Sequence, residues 1–319
     1  MGKAVALLAA SLALAGIGTG CGGGGAEPGA PIGATLVLDF TPNPVHAGIF
    51  AAKAEGFFNA AGVDLQVQAP GESTDAPKLL AAGRTEFAIL DIHDLGIARE
   101  KGLPLVAVMP IVQRPLAAIL ARADRDIASP ADLEGKAVGV TGLPSDKAVV
   151  DSEVSAAGGD PSRVEEVTIG FNAVSALGAG KVDAATGFWN AEGVSLRRAG
   201  VPIRVFKVDE YGAPPYPELV LATSERTLRR QPQLVADVVA ATERGYRFTE
   251  REPEQALDDL LAADPSLQRS DQRAQLRVLL PALAPRPFDP RVLREWAAWD
   301  LEHGLLERKL DVAAAFELG

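Results

Sequence analysis

Residues 34–68 read ATLVLDFTPNPVHAGIFAAKAEGFFNAAGVDLQVQ, and their order decides the fold class. Ala34 to Phe40 is a β-rich apolar run, so a strand is expected there. Two prolines, Pro42 and Pro44, then break any extended ladder and turn the chain. A helix follows from about His46 to Phe57, and Val63 to Gln68 returns as a second strand. A strand that leaves through a turn into a helix and comes back as a strand is the unit of a parallel sheet covered by helices.

The same alternation continues along the chain. A helix is expected from about Thr74 to Ala82, strand Phe87 to Asp91, a helix to Lys101 and strand Leu105 to Pro110. A second set has strands at Leu116 to Ala121, Ala137 to Val140, Glu166 to Ile169, Asp183 to Thr186 and Ile203 to Val208. A short helix at Ser129 to Gly135 and a longer one from Pro144 to about Ala157 lie among them. After a crossing strand at Leu219 to Thr223 the strands cease, and Gln231 onward is expected to be almost all helical. Leu234, Val238, Ala241, Gly245 and Phe248 fall on one helical face. Both sheets are expected to be mostly parallel. The expectation is an α/β protein of two lobes, 34–114 plus 222–319 and 115–221, with a helical C-terminal portion. Ligands of such sheets lie beyond the carboxyl ends of the strands, so the residues just after each strand are the ones to search.

The chain opens with Lys3, an apolar run from Ala4 to Ile17, and small residues before Cys21. That run is shorter than the ~20 residues of a membrane span and reads as an export signal, residues 1–20. Cys21 is the only cysteine, so it has no disulfide partner in the chain. At the head of a Gly/Pro-rich segment, 21–33, it is expected to be lipidated and to tether an extracytoplasmic body to the cell membrane. Acidic residues outnumber Lys and Arg by 42 to 31, which argues against nucleic acid as a partner.

Three loops carry the richest chemistry. Leu38 to Gly48 places Phe40, Thr41, Asn43 and His46 between a strand and a helix N-terminus. Gly187 to Gly193 places Phe188 and Trp189 beside Asn190 and Glu192, a set suited to a flat polar ring: aromatics for its face, amide and carboxylate for its edge. Pro214 to Glu218 holds Tyr216 and Glu218 in a stiff loop. Ser73, in the turn 71–75, and Ser145, in the turn 142–146, sit where a helix N-terminus takes ligand oxygens or where a cap is needed. Asp91, His93 and Asp94 form a carboxylate-rich turn after a strand and read as polar lining. The three histidines are far apart and have no cysteine beside them, so no metal is expected. With no G-x-S-x-G, P-loop or G-x-G-x-x-G, neither a catalytic set nor a cofactor is expected.

These residues carry a resemblance. Leu38 to Gly48, continued by Lys53, Glu55, Gly56, Phe57 and Phe58, resembles the opening of the thiamine-pyrimidine-precursor-binding proteins. Those belong to the nitrate/sulfonate/taurine group of type II periplasmic binding proteins. Gly142 to Asp146, Phe188 to Gly193 and Glu218 to Ala222 resemble later motifs of the same proteins, in order, over roughly residues 34–260. The resemblance implies a Venus-flytrap fold, delivery of a small ligand to an ABC permease, a monomer, and a ring clamped by aromatics and read by a carboxylate. Phe40 stands where the pyrimidine binders carry Trp, and Glu192 and Asn190 match. Nitrate, sulfonate, taurine and riboflavin binders share the architecture. So does the fungal pyrimidine synthase, which consumes its own histidine and pyridoxal phosphate, depends on a cysteine-rich motif and is similar around His46. The three loops contain no Lys or Arg but include Asp39, Glu192 and Glu218, which favours a neutral or cationic, hydrogen-bond-donating ligand over an oxoanion.

Overall fold

The computed structural model describes residues 30–71 and 75–318. The expected signal segment and Cys21 lie outside the described residues, as does Ser73. Among the described residues no helix is long and apolar enough to cross a membrane.

Among the described residues, ten strands form two five-stranded sheets. The first contains β1 (Ile32–Val37), β2 (Val63–Gln68), β3 (Phe87–Asp91), β4 (Leu105–Val112) and β10 (Leu219–Ser224), in the order β2-β1-β3-β10-β4. The second contains β5 (Ala117–Arg122), β6 (Ala137–Val140), β7 (Glu165–Thr168), β8 (Ala184–Phe188) and β9 (Ile203–Lys207), in the order β7-β6-β8-β5-β9. Each sheet departs from an all-parallel arrangement at one strand: β10 runs antiparallel to β3 and β4, and β5 antiparallel to β8 and β9. These two strands are the ones that arrive directly from the other sheet. They enter from the side on which the parallel strands end and therefore run against them. All six residues of β10 are buried, and from Leu219 onward they pair with β3 and β4. The expected boundary at 221/222 thus cuts a strand that lies wholly in the first sheet.

Strands covered on both faces read as unbroken apolar runs, as β3 and β10 do. β7, with Glu165 and Glu166, is an exposed edge strand whose charges discourage further pairing. The helix expected at His46–Phe57 begins as a 3-10 turn at Pro44–His46, continues as an α-helix over Ala47–Ala54 and stops before Gly56, whose φ of 70° is left-handed. It packs on the long helix Pro232–Arg251, which buries Leu234, Val238, Ala241 and Gly245 of the expected stripe, while Phe248 is half-buried. Gly48 and Gly245 make that contact close. A Cβ on Gly245 would collide with the Gly48 carbonyl oxygen, and one on Gly48 with the Tyr246 ring. Tyr246 Oη then donates to Val45 O at 2.7 Å, pinning the turn that leads into the helix. Beyond Ser224 the chain is helical to Ala315, and its end returns to β4 through a bridge between Ala107 and Phe316. A helix at Ala173–Gly178, six residues long and so too short for its apolar spacing to single it out, was not among the expected elements.

Candidate functional site

With this topology, the carboxyl ends of the parallel strands and the first residues of β5 and β10 converge on one cavity of ≈ 410 Å³. Its walls come from both lobes and from the C-terminal helix Arg269–Leu283.

The turn after β1 is tied by its own side chains. Asn43 Oδ1 accepts from Val45 N at 3.0 Å, and Asn43 Nδ2 donates to Thr41 O at 3.0 Å. His46 Nδ1 accepts from the Asn43 N–H at 3.2 Å, which puts the ring proton on Nε2, and Nε2 donates to Asp39 Oδ1 at 2.8 Å. His46 is fully buried by these contacts and does not line the cavity, contrary to the expectation for it. Phe40, Thr41 and Asn43 do line it, together with Asp39.

Beyond β3 the chain places Asp91, His93 and Asp94 at the start of the helix Ile92–Glu100, all on the cavity wall. Asp91 caps this helix, accepting the His93 N–H at 2.7 Å. The His93 ring turns its Nδ1 to Asp300, at 2.8 Å and 3.0 Å from its two oxygens. Burial disfavours the charged imidazole, but Asp300, Asp91 and Glu218 outweigh it and raise His93 to about 10. Glu218, immediately before β10, accepts the Leu116 N–H at 2.6 Å and so ties together the two segments that cross between lobes. Burial, then the neighbouring Asp91, raise Glu218 to about 8 against the opposing pull of His93. Burial likewise raises Asp91, and it carries Asp94 to about 7 with Asp91 and Asp39 adding to the effect.

The opposite wall is built on β6, β7 and β8. Asp146 Oδ2 accepts from Thr141 Oγ1, Gly142 N and Leu143 N at 2.6–2.9 Å, and Oδ1 accepts from Thr186 Oγ1 at 2.6 Å. The start of the helix Pro144–Ala156 is therefore occupied by the chain's own carboxylate, with Ser145 beside it on the wall. Glu192 Oε2 takes the Phe188 N–H at 2.9 Å, while Asn190 is buried with its Oδ1 lacking any donor. Phe171, after β7, meets Phe40 from the other lobe at 5.7 Å between ring centroids. These rings are 60% and 41% exposed, which places the aromatic pair at the cavity mouth. Gln272 and Gln275 of the C-terminal helix complete the lining, and the Gln272 Oε1 also has no donor. On the outer rim, Arg198 binds Asp271 at 2.7 Å and Ser270 at 3.0 Å, joining that helix to the second lobe.

Two of the expected ring faces are elsewhere. Trp189 is buried with Nε1 donating to Pro115 O at 2.9 Å, and Lys207 and Arg114 lie over its ring at 4.9 Å and 5.6 Å. Tyr216 is fully buried behind the wall, edge-on to His93 at 4.9 Å and near Trp299. Neither lines the cavity. The alternation of a strand end explains Trp189: Phe188 faces the cavity, so its neighbour faces away. The aromatic lining is instead Phe40, Phe171 and Phe188. Phe171 was legible only as an apolar residue in the turn after a strand. Gln272 and Gln275 became visible only through tertiary packing. The lining contains six carboxylates and one histidine, and neither Lys nor Arg.

A model of the family described as NMT1/THI5 like matches residues 43–256. The chain is 32% identical over 292 residues to the formylaminopyrimidine-binding protein of Halalkalibacterium halodurans, covering 88% of each chain. It is 29% identical over 237 residues to the 4-amino-5-hydroxymethyl-2-methylpyrimidine phosphate synthase of Legionella pneumophila, covering 73% of this chain and 74% of that one. Its fold matches the alkanesulfonate-binding protein SsuA of Xanthomonas axonopodis pv. citri with a TM-score of 0.71, at 17% identity, over 90% of this chain and 99% of that one. The two-lobe type II periplasmic-binding-protein fold is thereby established.

Proposed function

The chain belongs to the NMT1/THI5-like family, and from that membership and its cavity we propose that it is the solute-binding protein of an ABC importer, taking up a thiamine-pathway aminopyrimidine. The observation that carries this reading is the makeup of the lining: six carboxyl groups, one histidine and no Lys or Arg. An oxoanion ~4 Å from one ionised carboxylate would meet a repulsion of about 4 kcal/mol at the effective dielectric of a protein surface. It would find no cationic side chain except His93, which Asp300 already pairs. The Gly142 and Leu143 N–H groups that lead into the helix Pro144–Ala156, and would otherwise attract it, are taken by Asp146. A flat ring rich in N–H donors meets the opposite situation. Phe40, Phe171 and Phe188 offer it faces, and the free acceptors of Asn190, Glu192 and Gln272 offer it an edge.

Catalysis of the synthase kind is disfavoured by the same geometry. His46 has both ring nitrogens engaged and lies off the cavity, and no lysine lines the cavity to hold a pyridoxal aldehyde. In this reading the body works outside the cytoplasm as a monomer, held to the membrane through a lipid on Cys21, and passes its ligand to a permease.

The test is a thermal-shift and calorimetric screen of the purified protein against formylaminopyrimidine, 4-amino-5-hydroxymethyl-2-methylpyrimidine, riboflavin, taurine, an alkanesulfonate and nitrate. A ligand at ~100 times its Kd adds about 2.7 kcal/mol of stability, a readable rise in Tm. Stabilisation by the pyrimidines alone is the expected result. Stabilisation by the sulfonate or nitrate would overturn the ligand assignment, and product formation from a bound ligand would overturn the binding role.

A further inference from the structure

Resting on the aminopyrimidine reading above, we infer that Asp94 sets the specificity of the cavity by pairing with the amidine edge of the ligand, the ring nitrogen and exocyclic amine that lie side by side. Five of the six lining carboxylates are already engaged by the protein. Asp39 holds His46, Asp91 the His93 N–H, Glu192 the Phe188 N–H and Glu218 the Leu116 N–H, and Asp146 accepts from four donors. Asp94, half-buried on the first turn of its helix, has neither a hydrogen bond nor an ion pair, so both its oxygens are open to the cavity.

A second feature points to the same kind of ligand. Asn190 and Gln272 line the cavity at 2% and 9% exposure, and the buried side-chain oxygen of each has no donor within the protein. The wall around Asp94 therefore has acceptors to spare, which a ligand rich in N–H groups would satisfy. A planar carboxyl facing a planar amidine makes two parallel hydrogen bonds, the geometry that gives such pairs their selectivity.

One proton serves the pair. The groups acting on Asp94 are Asp91 and His93 from its own turn, Asp39 from the loop after β1 and Lys101 from the far end of its helix. Asp300 lies behind His93, where it pairs with the imidazole, and Glu218 adjoins from the segment before β10. Burial first, then Asp91, hold Asp94 protonated below about 7. A neutral carboxyl donates to the ring nitrogen and accepts from the amine. An ionised one accepts from both the protonated ring and the amine. These are one complex with the proton on either partner. Above about pH 7 the empty site has lost that proton, so binding must recover it, and the Kd should rise about tenfold per pH unit.

The experiment measures Kd by calorimetry for full-length wild type, Asp94→Asn and Asp94→Ala from pH 6 to 9. The probes are 4-amino-5-hydroxymethyl-2-methylpyrimidine and its 4-oxo counterpart, which presents an N–H and a carbonyl on the same edge. Because Asp94 makes no bond within the protein and its burial opposes ionisation, both variants should melt at or above the wild-type Tm. Wild type should prefer the amino compound by roughly tenfold, because only its basic ring nitrogen can take the shared proton and make the pair charge-assisted, and should show the loss of affinity above pH 7. Asp94→Ala should bind the amino compound at least about tenfold more weakly. Asp94→Asn, whose amide offers one donor and one acceptor, should bind both compounds within about threefold and lose the alkaline limb. Wild-type discrimination and pH profile retained in Asp94→Asn would overturn the assignment while leaving the aminopyrimidine reading intact. If wild type binds neither pyrimidine, that parent reading falls and the role of Asp94 with it.

Discussion

Replacing Asp300 by Asn tests whether the acidic wall is organised around a charged imidazole. Asp300 is fully buried and holds His93 Nδ1 at 2.8 Å, and the pair together with Asp91 and Glu218 raises His93 from 6.5 to about 10. At about 1.36 kcal/mol per unit, such a rise corresponds to roughly 5 kcal/mol of stability. Breaking a buried charge pair by removing one partner typically costs ~3–5 kcal/mol, which agrees. The sign follows from the direction of the shift. A histidine whose folded pKa exceeds its unfolded one contributes fully below about 6.5, and loses that contribution as pH rises towards about 10. Asp300→Asn keeps the size of the side chain and removes its charge. Urea unfolding of both proteins should therefore show a loss of ~3–5 kcal/mol at pH 6, shrinking to under about 1 kcal/mol near pH 9.5. A loss that is the same at both ends of that range, or below about 1 kcal/mol at pH 6, would refute the reasoning and leave His93 a neutral packing residue.

Three further outcomes are expected. Glu192→Gln should weaken pyrimidine binding by ~1–3 kcal/mol in calorimetry, since one oxygen serves Phe188 and only the other is left for ligand; unchanged affinity would remove it from the site. Trp189→Ala should lower the Tm by an amount equivalent to ~3–5 kcal/mol with or without ligand, because its ring packs outside the cavity; a loss seen only in ligand affinity would contradict that placement. Gly245→Ala should destabilise by ~1–3 kcal/mol in chemical denaturation, since the added Cβ meets the Gly48 carbonyl; an unchanged midpoint would mean the two helices can separate freely.

The strand and helix order was legible because each element announces itself locally. β2, β3 and β6 occupy the expected residues, for here β-rich runs are bounded by Gly, Pro and Asp. The antiparallel course of β5 and β10 was not legible, since the direction of a strand depends on the lobe it enters from rather than on its own residues. In the site, Phe40, Thr41, Asn43, Asp91, His93, Asn190, Glu192 and Glu218 lie on the cavity wall where the rule of strand carboxyl ends points. Trp189, Tyr216 and His46 lie off it because composition marks a loop as rich in chemistry without saying which of two adjacent side chains faces inward. Asp94 stood in a turn read only as polar lining. What distinguishes it is the lack of a partner, a property of the folded chain alone.

The lobes share their architecture with an alkanesulfonate-binding protein, yet the cavity lining holds six carboxyls and neither Lys nor Arg, and Asp146 shows how such a wall discourages an anion. Strand-to-helix turns at the carboxyl edge of a sheet expose backbone N–H groups whatever the ligand, and left empty they attract anions. Here the Gly142 and Leu143 N–H groups, with the hydroxyls of Thr141 and Thr186, all close on one carboxylate of the chain itself. Oxoanion recognition at that turn is answered internally, and the helix start becomes a source of rigidity for the wall that carries Asn190 and Glu192. The facing lobe adds an unpartnered carboxyl at Asp94 and keeps its one imidazole bound to Asp300. On the proposed reading, ligand charge is decided by a few carboxyls at strand ends, while the sheets beneath them, whose burial sets the fold, need no change.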